Sequence, residues 1–222
     1  MKKMLTIIQW LIFMTLSGFA QEKEANQNIW NKKFLISFTA GPSFPVGPFA
    51  SHDIHNTQAG FAKTGYNLNL DFTYTLNQSV VLDATFLYAR FDIYNDALQQ
   101  TGLSADHWQY YGLLIGPRYD LPFSRKSLLS IKALLGITDV NSPAFSYGSN
   151  LAVKEDWATA LSLQFGMDYR YLIRKGFFIM ANLDYTYMDP TLQVSMADGS
   201  ASTTVRQNIA VVDITAGMGI NF

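Results

Sequence analysis

Nine consecutive residues set the terms for this chain. Between residues 66 and 74, Tyr66, Leu68, Leu70, Phe72 and Tyr74 alternate with Asn67, Asn69, Asp71 and Thr73. A period of two places the two sets on opposite faces of a β-strand, whereas a helix would smear both around its cylinder. One face is made for an apolar medium and the other for polar company.

The same alternation, with less purity, recurs over 34–39, 80–89, 111–120, 129–138, 157–171, 177–187 and 210–222. That predicts eight strands. The segments joining them alternate in length as strictly as the residues do. Short turns are expected at 76–79, 121–126 and 172–176, and long loops near 43–60, 92–107, 141–156 and 189–205. Outer-membrane barrels combine short periplasmic turns with long extracellular loops. The expected fold is therefore all-β: an eight-stranded antiparallel up-and-down transmembrane β-barrel, with both termini periplasmic.

A soluble lipocalin-like barrel has the same strand number but turns its polar face outward. Composition decides against it. Charged residues make up only 15% of the chain and aromatic residues 14%, against about 25% charged in an average soluble domain. The polar faces carry Asn, Ser, Thr, Gly and Asp, with hardly any Lys or Glu, which suits a hydrogen-bonded barrel interior. Tyr74, Tyr88, Trp108, Tyr119, Trp157, Tyr171 and Tyr187 fall towards strand ends, where aromatic girdles are expected.

The start of the chain reads as an export signal. Lys2 and Lys3 precede an apolar run, and Gly18 and Ala20 stand where a signal peptidase reads small residues. The expected organisation is a signal peptide over 1–20, a short periplasmic extension over 21–33 and the barrel over 34–222. With no cysteine in the chain, a lipid anchor on a mature N-terminal cysteine, disulfides and thiolate metal sites are all excluded. A net charge of −1 argues against nucleic acid as a partner.

Several of these segments carry a resemblance. The signal end Gly18-Phe19-Ala20-Gln21, the strand Gly116-Pro117-Arg118-Tyr119, the strand from Phe165 through Tyr171 and the terminal Gly217-Met218-Gly219-Ile220-Asn221-Phe222 resemble outer-membrane β-barrel families of Bacteroidota. These include PorT-like proteins and the barrel of the outer membrane protein A type. The resemblance implies scaffold and location rather than an activity. It also implies that Phe222, an aromatic end to an alternating strand, serves as the signal read by the barrel-assembly machinery.

Candidate chemistry is sparse. The inward faces place Asp71, Asp83, Arg118, Asp120, Lys132, Asp168, Arg170, Asp184 and Asp213 inside the barrel. Such charges must be paired, because an uncompensated buried ion costs several kcal/mol. Two readings stand: a structural network that plugs the lumen, or a narrow polar path gated by partner exchange. His107 lies near Ser104 and Asp106, and His52 near His55, all in external loops. Loose proximity of Ser, Asp and His in a loop is common by chance and carries little weight without geometry, and the histidine pair lacks a third defined ligand. No catalytic residue, metal or cofactor is expected. Phe44-Pro45-Val46-Gly47-Pro48-Phe49 is the most apolar loop stretch; it can fold over the barrel mouth, or meet a partner or lipopolysaccharide. The functional expectation is a non-enzymatic barrel with a structural or interaction role through its loops. Its partners are outer-membrane lipid, lipopolysaccharide and a protein at the loops. The alternatives are a small channel or secretion-complex subunit, and a lipid A-modifying enzyme.

Overall fold

Alternating sequence becomes sheet only where every strand edge finds a partner, because an unpaired edge in lipid leaves backbone N–H and C=O groups unsatisfied. The computed structural model describes residues 30, 32–99, 102–148 and 150–222, so the signal peptide and most of the 21–33 extension lie outside the described residues. Eight strands close on themselves: β1 (Phe34–Val46), β2 (Gly65–Thr75), β3 (Val80–Phe91), β4 (Trp108–Pro122), β5 (Ser127–Asn141), β6 (Trp157–Arg174), β7 (Phe177–Met188) and β8 (Ile209–Asn221). Each pairs antiparallel with its sequence neighbours, and β1 pairs with both β2 and β8, which removes the last edge.

The register fixes the geometry. From Ser37, successive cross-strand partners are Asp71, Thr85, Leu114, Gly136, Ser162, Met188 and Ile209. The direct partner of Ser37 on β8 is Gly219, an offset of ten residues from Ile209. A stagger of this kind tilts the strands by about 35–45° and leaves an interior that side chains can just fill.

The outer wall is apolar. Phe38, Phe72, Phe86, Leu113, Ile115, Ile131, Leu161, Phe165, Ile179, Ile214 and Met218 are all exposed on it. Soluble monomers rarely present so extended an apolar surface, and lipid is the medium that tolerates it. Aromatic clusters flank the band. Tyr74, Phe34 and Phe222 stack at the end holding the C-terminus, with centroid separations of 5.3 and 6.1 Å. Tyr66 with Tyr88, and Tyr111 with Trp157, lie at the opposite end.

Two expectations need correcting. The first loop does not begin at residue 43: Ser43, Phe44, Pro45 and Val46 remain paired with Asp213, Val212, Val211 and Ala210, because alternation continues into the apparently loop-like stretch. Trp108 is not part of an aromatic girdle. It points into the barrel, is buried, and donates its indole N–H to the Gly60 carbonyl at 2.8 Å.

The long connections are themselves folded. A short strand Leu103–Ala105 pairs with Phe145–Tyr147, which pairs with Asn150–Val153. A hairpin of Thr191–Ser195 and Ser202–Arg206 joins this sheet through a bridge between Val153 and Met196. The first loop is tied in by an Ala62–Ile93 bridge and by the Gln207 side chain, which donates to the Gln58 carbonyl at 3.1 Å.

Candidate functional site: the barrel interior and its two closures

The lumen is layered. At its middle and towards the end holding Phe34 and Phe222 stand the nine ionisable residues, every one facing inward. Seven form one connected set of ion pairs. Arg118 reaches Asp83 at 3.2 Å and Asp120 at 3.0 Å, and lies 4.0 Å from Asp168. Arg170 grips Asp168 at 2.7 Å and lies 3.8 Å from Asp120. Lys132 meets Asp184 at 3.0 Å and Asp168 at 3.8 Å, so Asp168 is shared by all three cations.

Gly166 makes the Lys132–Asp184 contact possible. It sits between them on β6, in register with Lys132 on one side and Asp184 on the other. A Cβ at this position would collide with the Asp184 carboxylate and the Lys132 stem. The missing side chain is the window through which β5 and β7 reach one another.

Two carboxylates stand outside this set. Asp71 accepts hydrogen bonds from Ser37 at 3.1 Å and Thr85 at 2.8 Å. Asp213 lies in register between Asp184 and Ser43. Neither has a cation within ion-pair distance among the described residues. The interior thus holds six carboxylates against three cations.

Above and below this belt the lumen turns apolar. At the loop end, Leu87, Phe91, Tyr110, Leu114, Met188, Ile209 and Val211 point inward and pack together with Trp108. Phe49 completes this closure, with ring centroids 5.3 Å from Phe91 and 5.6 Å from Trp108. It is delivered by a single 3₁₀ turn, Gly47–Ala50, that Gly47 enters at a φ of 62°. The apolar stretch beginning at Phe44 therefore divides. Phe44 faces lipid, and Phe49 folds over the mouth and fills it. At the other end, Leu35, Leu172, Phe178 and Met180 close the lumen, with Trp30 against Phe178 at 6.1 Å.

Sequence reasoning offered the fold of the Phe44–Phe49 stretch over the mouth as one option, but missed the inward apolar layers at both ends. Their signal was visible as apolar residues on inward positions, such as Leu87, Leu114 and Leu134, which look like impurities in an otherwise polar face. A trough of about 730 Å³ is lined by outward residues such as Pro117, Ala133, Phe165 and Leu183 together with Arg118, Lys132, Gly166 and Asp184.

The loop histidines do not assemble a reactive site. His107 pairs with its neighbour Asp106, and no described hydrogen bond joins it to Ser104. His52 stacks on Tyr94 at 5.0 Å, while the His55 backbone N–H donates to Asp53 in a local turn. Among the described residues no group of three or more His, Asp or Glu is placed to hold a metal ion.

Against known proteins, the closed barrel finds counterparts in structure only. Neisserial surface protein A superposes with a TM-score of 0.55 at 15% identity, over 85% of this chain and 97% of its own. A major outer membrane protein from Thermus thermophilus gives 0.54 at 12% identity, over 85% and 99%. The fold is that of the small outer-membrane barrels. No protein-family model and no curated protein matches the sequence.

Proposed function

We propose that the protein is a non-enzymatic integral barrel of the bacterial outer membrane that acts through its extracellular loops, in a structural or interaction role. The observation that carries this reading is the double closure. Apolar side chains seal the lumen at both ends, while the loops above it are bound to one another by strand pairing rather than left loose. Binding surfaces commonly sit on loops held by a rigid scaffold, and this molecule has that form.

The reading includes finer proposals. Alternating short turns and long loops support periplasmic termini, with Phe222 offered to the assembly machinery at the free end of β8. The motifs from Gly116 and Phe165 support a place among the barrel families of Bacteroidota, including the PorT-like proteins. A channel or transport subunit is favoured by one feature, the polar mid-lumen in which Asp71 and Asp213 lack cations, but it requires both closures to move. Lipid A modification at His107 has no assembled site behind it, and His107→Ala should leave the lipid A acyl pattern unchanged.

The test is gel mobility of protein from purified outer membranes, with and without boiling, combined with surface proteolysis of intact cells. A heat-dependent shift, with cleavage confined to the loops, is expected. A soluble periplasmic protein without a shift would overturn the membrane reading and turn attention to ligand binding in a lipocalin-like cup.

A further inference from the structure

Charge is divided unequally between the two ends of the barrel. The four long connections, 47–64, 92–107, 142–156 and 189–208, hold eight acidic side chains and three lysines or arginines. At the end holding the C-terminus, the described residues outside the strands and at their last positions hold Lys32, Lys33, Arg125, Lys126, Arg174 and Lys175, all exposed, and no acidic side chain.

Four of the six cations fall in one sector. The turn after β4 carries Arg125 and Lys126, and the turn after β6 carries Arg174 and Lys175. The two turns are neighbours because β5 and β6 pair, and the Leu172 N–H donates to the Lys126 carbonyl at 2.8 Å. Arg174 lies over the Phe177 ring at 5.8 Å, which holds its guanidinium against the barrel wall. Directly beside these cations, Phe123, Tyr171 and Ile173 are exposed on the apolar wall. Cation and hydrocarbon surface thus meet along one line.

A soluble acidic partner would use the cations and leave Phe123 and Ile173 bare. An amphiphile uses both. We propose that this sector, formed by residues 123–126 and 173–176, binds the headgroup of an anionic glycerophospholipid, its phosphate among the four cations and its acyl chains along Phe123, Tyr171 and Ile173. The proposal rests on the membrane-spanning reading above. Basic residues at a membrane surface each strengthen attraction to anionic lipid, and the effect decays within a Debye length.

The experiment offers the folded barrel, in detergent at about 0.15 M salt, equal amounts of phosphatidylglycerol and phosphatidylcholine with identical acyl chains. Retained lipid is counted by native mass spectrometry. The unaltered protein should retain phosphatidylglycerol at least fivefold over phosphatidylcholine. The variant R125Q/K126Q/R174Q/K175Q should lose that preference while keeping the boiled-against-unboiled mobility shift. Equal retention of the two lipids, or a preference that survives in the variant, would overturn the proposal. So would displacement of phosphatidylglycerol by soluble triglutamate, which would mark an acidic peptide as the partner. Loss of the mobility shift in the unaltered protein would instead strike at the barrel reading itself.

Discussion

At the residue scale the interior depends on Lys132. Its ammonium group pairs with Asp184 at 3.0 Å and shares Asp168 at 3.8 Å. Removing one partner of a buried ion pair costs about 3–5 kcal/mol, whereas neutralising both partners costs far less. Lys132→Met should therefore lower stability by about that amount in urea titrations of the lipid-reconstituted barrel. Lys132→Met combined with Asp184→Asn should recover a large part of the loss. If the double variant is no better than the single one, Lys132 acts by packing rather than by charge. Gly166→Ala tests the same contact from the side, since its methyl group forces Lys132 and Asp184 apart. It should cost more than the roughly 1 kcal/mol of a typical point substitution.

At the scale of elements, the first loop and the mouth of the barrel form one unit. Phe49 is fully buried between Phe91 and Trp108, and Trp108 in turn holds the Gly60 carbonyl. Deleting a buried aromatic ring typically costs about 3–5 kcal/mol. Here that loss should fall first on the loop, because the strands below keep their hydrogen bonds. Phe49→Ala is expected to speed tryptic cleavage after Lys63 while the barrel keeps its heat-dependent mobility. Unchanged cleavage would mean that strand pairing at Ala62, rather than the Phe49 anchor, holds the loop. The same elements show what the sequence could reveal. The alternation of Tyr66–Tyr74 is a property of single strands and is legible one residue at a time. The inward turn of Trp108 follows from the parity it shares with Arg118 on β4, but its bond to the Gly60 carbonyl does not, because that carbonyl belongs to a distant loop. Nor does the pairing of Leu103–Ala105 with Phe145–Tyr147, which lie in different loops and carry only weak strand patterns. The nine interior charges could be placed on one face from parity alone. Which cation meets which carboxylate could not, because that depends on the ten-residue stagger around the barrel.

For the whole molecule, the order of layers along the axis decides whether anything can pass. Loop-end apolar residues, a polar middle and a second apolar closure stand in series, so opening one closure leaves the other as the barrier. The intact protein should give no stepwise current in planar bilayers. Phe49→Ala with Trp108→Ala should also be silent, because Phe178, Leu172 and Leu35 still close the far end. Adding Phe178→Ala removes the ring that also faces Arg170 at 6.0 Å and should admit small ions. The current should then be carried by cations, since six carboxylates outweigh three basic groups along the path and a narrow lumen of low dielectric focuses their field. A reversal potential measured under a salt gradient reads this directly. Conductance in the unaltered protein would show that the closures move in the membrane and would restore the transport reading. An anion-selective current in the triple variant would show that the carboxylates are neutralised in the lumen, and that the three cations set its field.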